Sequence, residues 1–248
     1  MPANSTINQE EINKFSMLSG EWWKPDGKFK ILHQINPVRL TYIRQKLSDA
    51  NFNIKKLKIL DVGCGGGLVS IPLARTGALV TAIDASYENS IATKMRAEQE
   101  GLKIECLNTS IEGLATLNKT KLFDCIVALE ILEHVENPDL FIKCCATLLK
   151  PGGIIFISTI NKNYKSLFFA KFCAEYILRF VPKGTHEWQK FLTPSNVCKM
   201  LKSNGIEALD MSGISLSILD GSWQISDNVE LNYIMCGLKS PSHAGKIL

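Results

Sequence analysis

At 248 residues, 46% hydrophobic and 21% charged, the chain suits one α/β domain carrying an insertion, long enough to bury a sizeable core. A formal net charge of +4 with Lys and Arg scattered along the chain gives no reason to expect nucleic acid as a partner, although the slight excess suits an anionic membrane surface. The eight cysteines form no C-x-x-C pair, so they read as buried thiols of a reducing compartment. The first residues lack a secretory or organellar targeting pattern, and the expected location is the cytoplasm.

After a polar lead, Ile12, Phe15 and Leu18 recur at helical spacing. Trp22-Trp23 then precede a turn at Lys24-Pro25-Asp26-Gly27. Two adjacent tryptophans need shelter, either in the core or as an aromatic lid over a ligand. A second helix carries Leu40, Ile43 and Leu47 on its apolar face, with Pro37 near its start and Arg39 in its first turn. Residues 1–50 are therefore expected to form a helical lid.

From Lys58 to Gly67 an apolar strand breaks into four glycines within five residues and runs on as a helix over 67–75. Without a Cβ the backbone can approach a ligand closely, and a nucleotide-like cofactor is the natural guest. Gly63, Gly65 and Gly67 do not complete the G-x-G-x-x-G spacing of dinucleotide enzymes, and a glycine turn can also serve only to pack strand on helix. Asp61 lies two residues before the first glycine, and Asp84 closes the next strand, 79–83. An acid at the second position can accept hydrogen bonds from ribose hydroxyls. The order D-x-G-x-G-x-G followed by that acid resembles class I S-adenosylmethionine (SAM)-dependent methyltransferases. In that family the first acid and the glycines sit against the amino-acid end of SAM and the second acid holds the ribose.

The alternation continues with a helix over 87–99, a strand at 103–107, a short polar segment 109–119, a strand 123–129, a helix over 138–149 and a strand 154–159 after Pro151-Gly152-Gly153. Strand and helix in turn imply a mostly parallel sheet with helices on both faces, and its ligand crevice lies at the strands' carboxyl ends. Residues 162–192 interrupt the pattern after the fifth strand. Lys171, Glu175 and Arg179 there recur every four residues among Phe168, Phe169, Phe172, Ile177 and Phe180, the pattern of a helix lying in a membrane interface or packing on the sheet's flank. A helix over 193–203 opened by Thr193-Pro194, a strand at 206–212, a loop rich in Ser, Gly and Asp, and a strand at 230–237 complete a seven-stranded sheet, and 239–248 read as a disordered tail.

Directly after the fourth strand, Glu130, Glu133 and His134 fall at spacings that one helical turn brings together. Two carboxylates and an imidazole can hold a divalent metal. Equally, Glu130 can line an adenosine pocket while the other two end the strand.

Together, Phe15 with Trp22-Trp23, the block from Leu32-His33 through Asn36-Pro37 and Arg39-Leu40 to Tyr42-Ile43, Leu60 to Gly67, Glu130 to Val135, Lys150 to Gly153 and Val181-Pro-Lys-Gly-Thr-His186 resemble the ubiquinone-biosynthesis O-methyltransferase family over about residues 10–237. The resemblance implies a Rossmann-like class I methyltransferase that methylates polyprenylated phenols or catechols at two steps, with SAM as donor. It implies SAM contacts at Arg39, Asp61, Gly63, Gly65, Asp84 and Leu129, and a Mg2+ or other divalent ion at Glu130, Glu133 and His134. His134 or His186 is the candidate base, and no single catalytic residue is assigned. The prenyl tail gives 162–182 a reason to meet an anionic bacterial inner membrane peripherally, alongside other quinone-pathway enzymes. Rival readings are a ring C-methyltransferase, an NAD-dependent oxidoreductase and a SAM-binding assembly subunit without turnover.

Overall fold

The computed structural model describes residues 5–117, 122–161, 192–217 and 220–241. The expected insertion at 162–192, except for Leu192, together with His186 and most of the expected tail lies outside the described residues.

Five strands form the parallel half of one sheet: β1 (Lys58–Val62), β2 (Leu79–Asp84), β3 (Glu105–Asn108), β4 (Phe123–Leu129) and β5 (Leu149–Ile160). Their order is β3-β2-β1-β4-β5, and β8 (Asn232–Lys239), β6 (Ile206–Leu216) and β7 (Trp223–Ser226) continue it antiparallel. Among the described residues the sheet thus has eight strands where the sequence suggests seven. The additional strand, β7, lies in the Ser/Gly/Asp-rich stretch and pairs with the far end of β6, which runs four residues beyond the expected 212. Lys239, expected to open the tail, ends β8, and its ammonium donates to the carbonyls of Ala146 and Leu149.

Among the described residues the α-helices are α1 (Gln9–Met17), α2 (Lys30–Asp49), α3 (Ser70–Arg75), α4 (Tyr87–Gln99), α5 (Ile111–Leu117), α6 (Pro138–Leu148) and α7 (Pro194–Ser203). Thr193 caps α7 as expected, accepting a hydrogen bond from the Asn196 amide. Two departures have plain causes. α2 begins seven residues before Pro37, which lies inside it, because Ile31, Leu32 and Ile35 pack on the core and outweigh the proline's preference for a first turn. The segment at 109–119 holds α5, anchored by buried Ile111 and Leu114.

Alternate residues of the central strands serve opposite faces. On β4, Cys125, Val127 and Leu129 pack with α2 residues such as Ile43 and Leu47, while Ile126 and Ala128 pack with α5 and α6 residues such as Leu114 and Ile142. Both faces are covered, which explains why these strands read as unbroken apolar runs. A third cluster, Trp22, Phe29 and Leu68, joins the N-terminal segment to the glycine turn. Because β1 lies between β2 and β4, that turn is flanked by Asp84 on one side and Glu130 on the other.

Candidate active site

The glycine turn is held by backbone bonds from Gly63 and Cys64 to the Ile83 carbonyl and from Gly67 to that of Cys64. Gly65 has φ +53°, and a Cβ there would meet the Trp22 ring at 2.5 Å. A Cβ on Gly66 would meet the Cβ of Trp22 at 2.2 Å. The glycines therefore admit a tryptophan as well as a ligand. Trp22 lies flat on Phe29 at 3.7 Å and donates to Asn89 Oδ1, and Trp23 donates to the Gly66 carbonyl beneath the Arg96 guanidinium. Trp22 is packed in the third core cluster and also lines the cavity described below.

Asp61 is buried under the turn, where Ser70 donates to its carboxylate at 2.5 Å. Burial pushes its pKa up to about 7, with the Asp84 charge adding to the rise and the Ser70 bond opposing it. Asp84 Oδ2 accepts the Gly65 amide at 2.9 Å, and Oδ1 accepts the Ser86 amide and the Asn89 side chain. Burial raises this pKa as well. By lone-pair count the Asp84 carboxylate retains capacity on Oδ2 for a further donor.

On the other flank Glu130 takes φ +52°, a left-handed conformation that costs a non-glycine residue about 1–3 kcal/mol. The surroundings enforce it. Its amide donates to the Ser158 carbonyl, and its carboxylate accepts Ser158 Oγ at 2.6 Å and pairs with Arg39 at 2.8 Å. Glu133 accepts from Thr159 at 2.6 Å, and burial together with the Glu130 charge pushes its pKa up to about 7. His134 Nδ1 lies 2.8 Å from Glu11 on α1. Burial opposes charging of this imidazole, but the Glu11 bond and the neighbouring acids raise its pKa. Glu11 is likewise pushed up by burial, yet His134 and Lys14 hold it down at about 2.

α1 crosses the carboxyl edge of the sheet. Thr6 bonds Glu112 through its amide and hydroxyl, the Glu136 amide donates to the Thr6 carbonyl, and Ser16 meets Ser86 at 2.7 Å. These contacts hold α1 against a cavity of about 340 Å³, within the size range of cofactor sites. Arg39, Asp61, Gly63, Gly65, Asp84, Leu129, Glu130, Glu133 and His134 all line it. The metal set is less gathered than its spacing suggests. Leu132–His134 form a 3₁₀ turn, each of the three side chains has a protein partner, and among the described residues no group of three or more His, Cys, Asp or Glu side chains is arranged to hold an ion.

Several functional neighbours escape sequence reasoning. Ser70 and Asn89 orient the two aspartates, and Glu11 reaches His134 across the fold. Ser158 and Thr159, at the carboxyl end of β5 where the sequence places the crevice, hold the two glutamates. Asn36 also lines the cavity, and its position three residues before Arg39 on one helical face is a signal the sequence does carry.

A glycine turn and two strand-end acids at the carboxyl edge of this sheet define a class I SAM-dependent methyltransferase. The family described as methyltransferase domain matches residues 32–210. A solved structure of magnesium protoporphyrin IX methyltransferase from Synechocystis with bound SAM has a similar fold, at TM-score 0.61 and 18% identity over 94% of this chain and 99% of that one. The chain is 46% identical to a ubiquinone biosynthesis O-methyltransferase of Rickettsia canadensis over 93% of its length and 97% of the relative's. It is 43% identical to one of Pelagibacter ubique, over 95% and 100%. The chain belongs to the ubiquinone biosynthesis O-methyltransferase family, and SAM is its methyl donor.

Proposed function

We propose that the enzyme methylates a hydroxyl of polyprenylated catechol and hydroxyphenol intermediates, at both O-methylation steps of ubiquinone biosynthesis. The observation that carries this reading is one cavity walled by the SAM-type turn and Asp84 on one side and by Glu130, Glu133 and His134 on the other. Asp84 binds the ribose, and Arg39 with Gly63, Gly65 and Leu129 fixes the rest of the donor. Ile12, Phe15 and Phe141 supply apolar wall for an aromatic ring. The sulfonium is already a strong methyl donor, so the protein's task is to align the phenolic oxygen with the methyl carbon and to exclude water. The oxygen then bonds the methyl carbon as the carbon–sulfur bond breaks, leaving S-adenosylhomocysteine. The test is turnover. S-adenosylhomocysteine should accumulate with a short-tailed prenyl catechol and not without it, and equal accumulation in both would end the reading.

A divalent cation is proposed at Glu130, Glu133 and His134. Two carboxylates and an imidazole on one cavity wall suit Mg2+ or a related ion, and the crowding of the two glutamates favours positive charge there. Such an ion would draw the three from Arg39, Thr159 and Glu11. When bound it lowers the pKa of catechol hydroxyls. The alternative is His134 as general base, favoured by its contact with Glu11. That bond directs Nδ1 to the carboxylate and leaves Nε2 to take the phenolic proton.

Contact of segment 162–182 with an anionic membrane is also proposed, on the sequence pattern alone. Among the described residues no helix is long and apolar enough to cross a membrane. Cosedimentation with anionic liposomes should fall when Phe168→Glu and Phe172→Glu are combined, and unaltered sedimentation would put the segment on the sheet's flank.

A further inference from the structure

Asn232, the first residue of β8, carries a hydrogen-bond donor that the fold does not use. Its Oδ1 accepts the Ile214 amide at 2.9 Å. That bond fixes the orientation of the side-chain amide, because the reverse assignment would set N–H against N–H. Nδ2 is therefore the free end, and among the described residues nothing accepts its hydrogens. Asn36 Oδ1 and Arg39 Nε are unpaired too, but they are sealed in the core, whereas Nδ2 of the half-buried Asn232 keeps accessible surface. The residue lines the cavity, so an amide donor stands ready there for an oxygen acceptor.

The sheet places this donor at the end of the cavity remote from Asp84. In the order β2-β1-β4-β5-β8, four strand spacings, about 19 Å, separate Asp84, which closes β2, from Asn232, which opens β8. With the ribose at Asp84 and the glycine turn of β1 next to it, the methyl carbon lies only a few bonds further on. The β8 end is left for the methyl acceptor. Asn232 opposes Ile160 on β5, and Ile234 and Cys236, at alternate positions after it, pack on the α2 face. Ser158, two residues before Ile160, shares that face and donates to Glu130. Trp223 of β7 lines the cavity and packs with the same α2 cluster, so a polar donor and an aromatic wall serve one face.

We infer that Asn232 recognises the methyl acceptor, its Nδ2 donating to the ring oxygen beside the one that is methylated. This rests on the reading that the acceptor is an oxygenated phenol. The reacting oxygen must present a lone pair to the methyl carbon, and a donor spent on its neighbour fixes the rotation of the ring without competing for that pair. An N–H group pairs with a hydroxyl, phenolate or ether oxygen alike. It has no partner on a ring that carries hydrogen at that position, so Asn232 selects vicinally oxygenated rings over simple phenols.

The test compares a short-tailed prenyl catechol with the prenyl phenol that lacks the second oxygen, as kcat/KM of the full chain with product detected by mass spectrometry. Unproductive binding of the phenol in a reversed pose leaves kcat/KM unaffected. The wild type should favour the catechol by about tenfold or more, and Asn232→Ala should cut that preference by about tenfold, the size of one hydrogen bond, with S-adenosylhomocysteine affinity by calorimetry retained. A preference owed to a bound cation persists in the variant, so the change in the ratio belongs to Asn232. The wild-type ratio stands even if the variant fails to fold. Equal wild-type kcat/KM for the two rings would overturn the proposal. So would an unchanged preference in the variant, or a loss of turnover matched by an equal loss of S-adenosylhomocysteine binding. Methylation of neither ring by the wild type would instead overturn the underlying reading of the substrate class.

Discussion

Replacing Gly65 by alanine should destabilise the enzyme chiefly through Trp22, and a double-mutant cycle can isolate that cause. The new Cβ would meet Cζ2 and Cη2 of the indole at 2.5 and 2.6 Å, well inside contact distance. Overpacking of this kind costs about 1–3 kcal/mol, and the left-handed φ of +53° adds about 1–2 kcal/mol for any side chain. Trp22→Ala alone removes a stacked ring that is only 7% exposed, at about 3–5 kcal/mol. With the indole gone, Gly65→Ala retains only its backbone strain. The double variant should therefore be more stable than the sum of the singles by about 1–3 kcal/mol, measured by urea unfolding with unchanged slope. Gly66→Ala is the comparison, since its Cβ would strike the Trp22 Cβ at 2.2 Å, an atom that Trp22→Ala keeps, and a clash therefore persists in that double variant. Additivity of Gly65→Ala and Trp22→Ala within about 0.5 kcal/mol would refute the claim that the turn is shaped to seat Trp22.

Asp84→Ala should weaken S-adenosylhomocysteine binding about tenfold or more, since it removes a charged acceptor for the ribose. Unchanged affinity by calorimetry would take Asp84 out of that role. Exhaustive chelation should abolish methyl transfer to a catechol and Mg2+ should restore it, whereas full activity without metal would favour His134 as base. Asp61 makes a pH-dependent prediction. Its folded pKa of about 7 lies above the ordinary 3.8, so between these values the unfolded chain ionises first and the apo enzyme loses stability as pH rises. A cationic cofactor nearby would favour the anion. SAM binding at pH 6.5 should therefore release protons, seen as a buffer-dependent binding enthalpy that disappears in Asp61→Asn. A buffer-independent enthalpy in the wild type would contradict this.

What the sequence discloses follows from how local each signal is. The strand at 123–129 and the helix at 87–99 are observed with those bounds, because a strand buried on both faces and a helix with a serine cap each write their pattern within a few residues. The short helix α5 shows only two buried anchors, too few for a helical period to emerge. β7 is hidden among turn residues and is defined by its partner β6. At the site, Asp61, the glycines and Asp84 are legible because one strand–turn–helix unit and the next strand contain them. The pairing of Glu11 with His134 and of Arg39 with Glu130 joins residues far apart in the chain, and no spacing rule reaches across such loops. Those long-range pairs are also why the Glu130, Glu133 and His134 side chains do not gather as their spacing alone suggests.

The most direct test of the central claim follows the methyl group itself. The enzyme is incubated with SAM carrying a deuterated methyl and a short-tailed prenyl catechol, and the product is analysed by mass spectrometry and NMR. The account predicts one labelled methyl on a hydroxyl oxygen for each S-adenosylhomocysteine formed. A label on a ring carbon, or SAM bound without turnover, would contradict it.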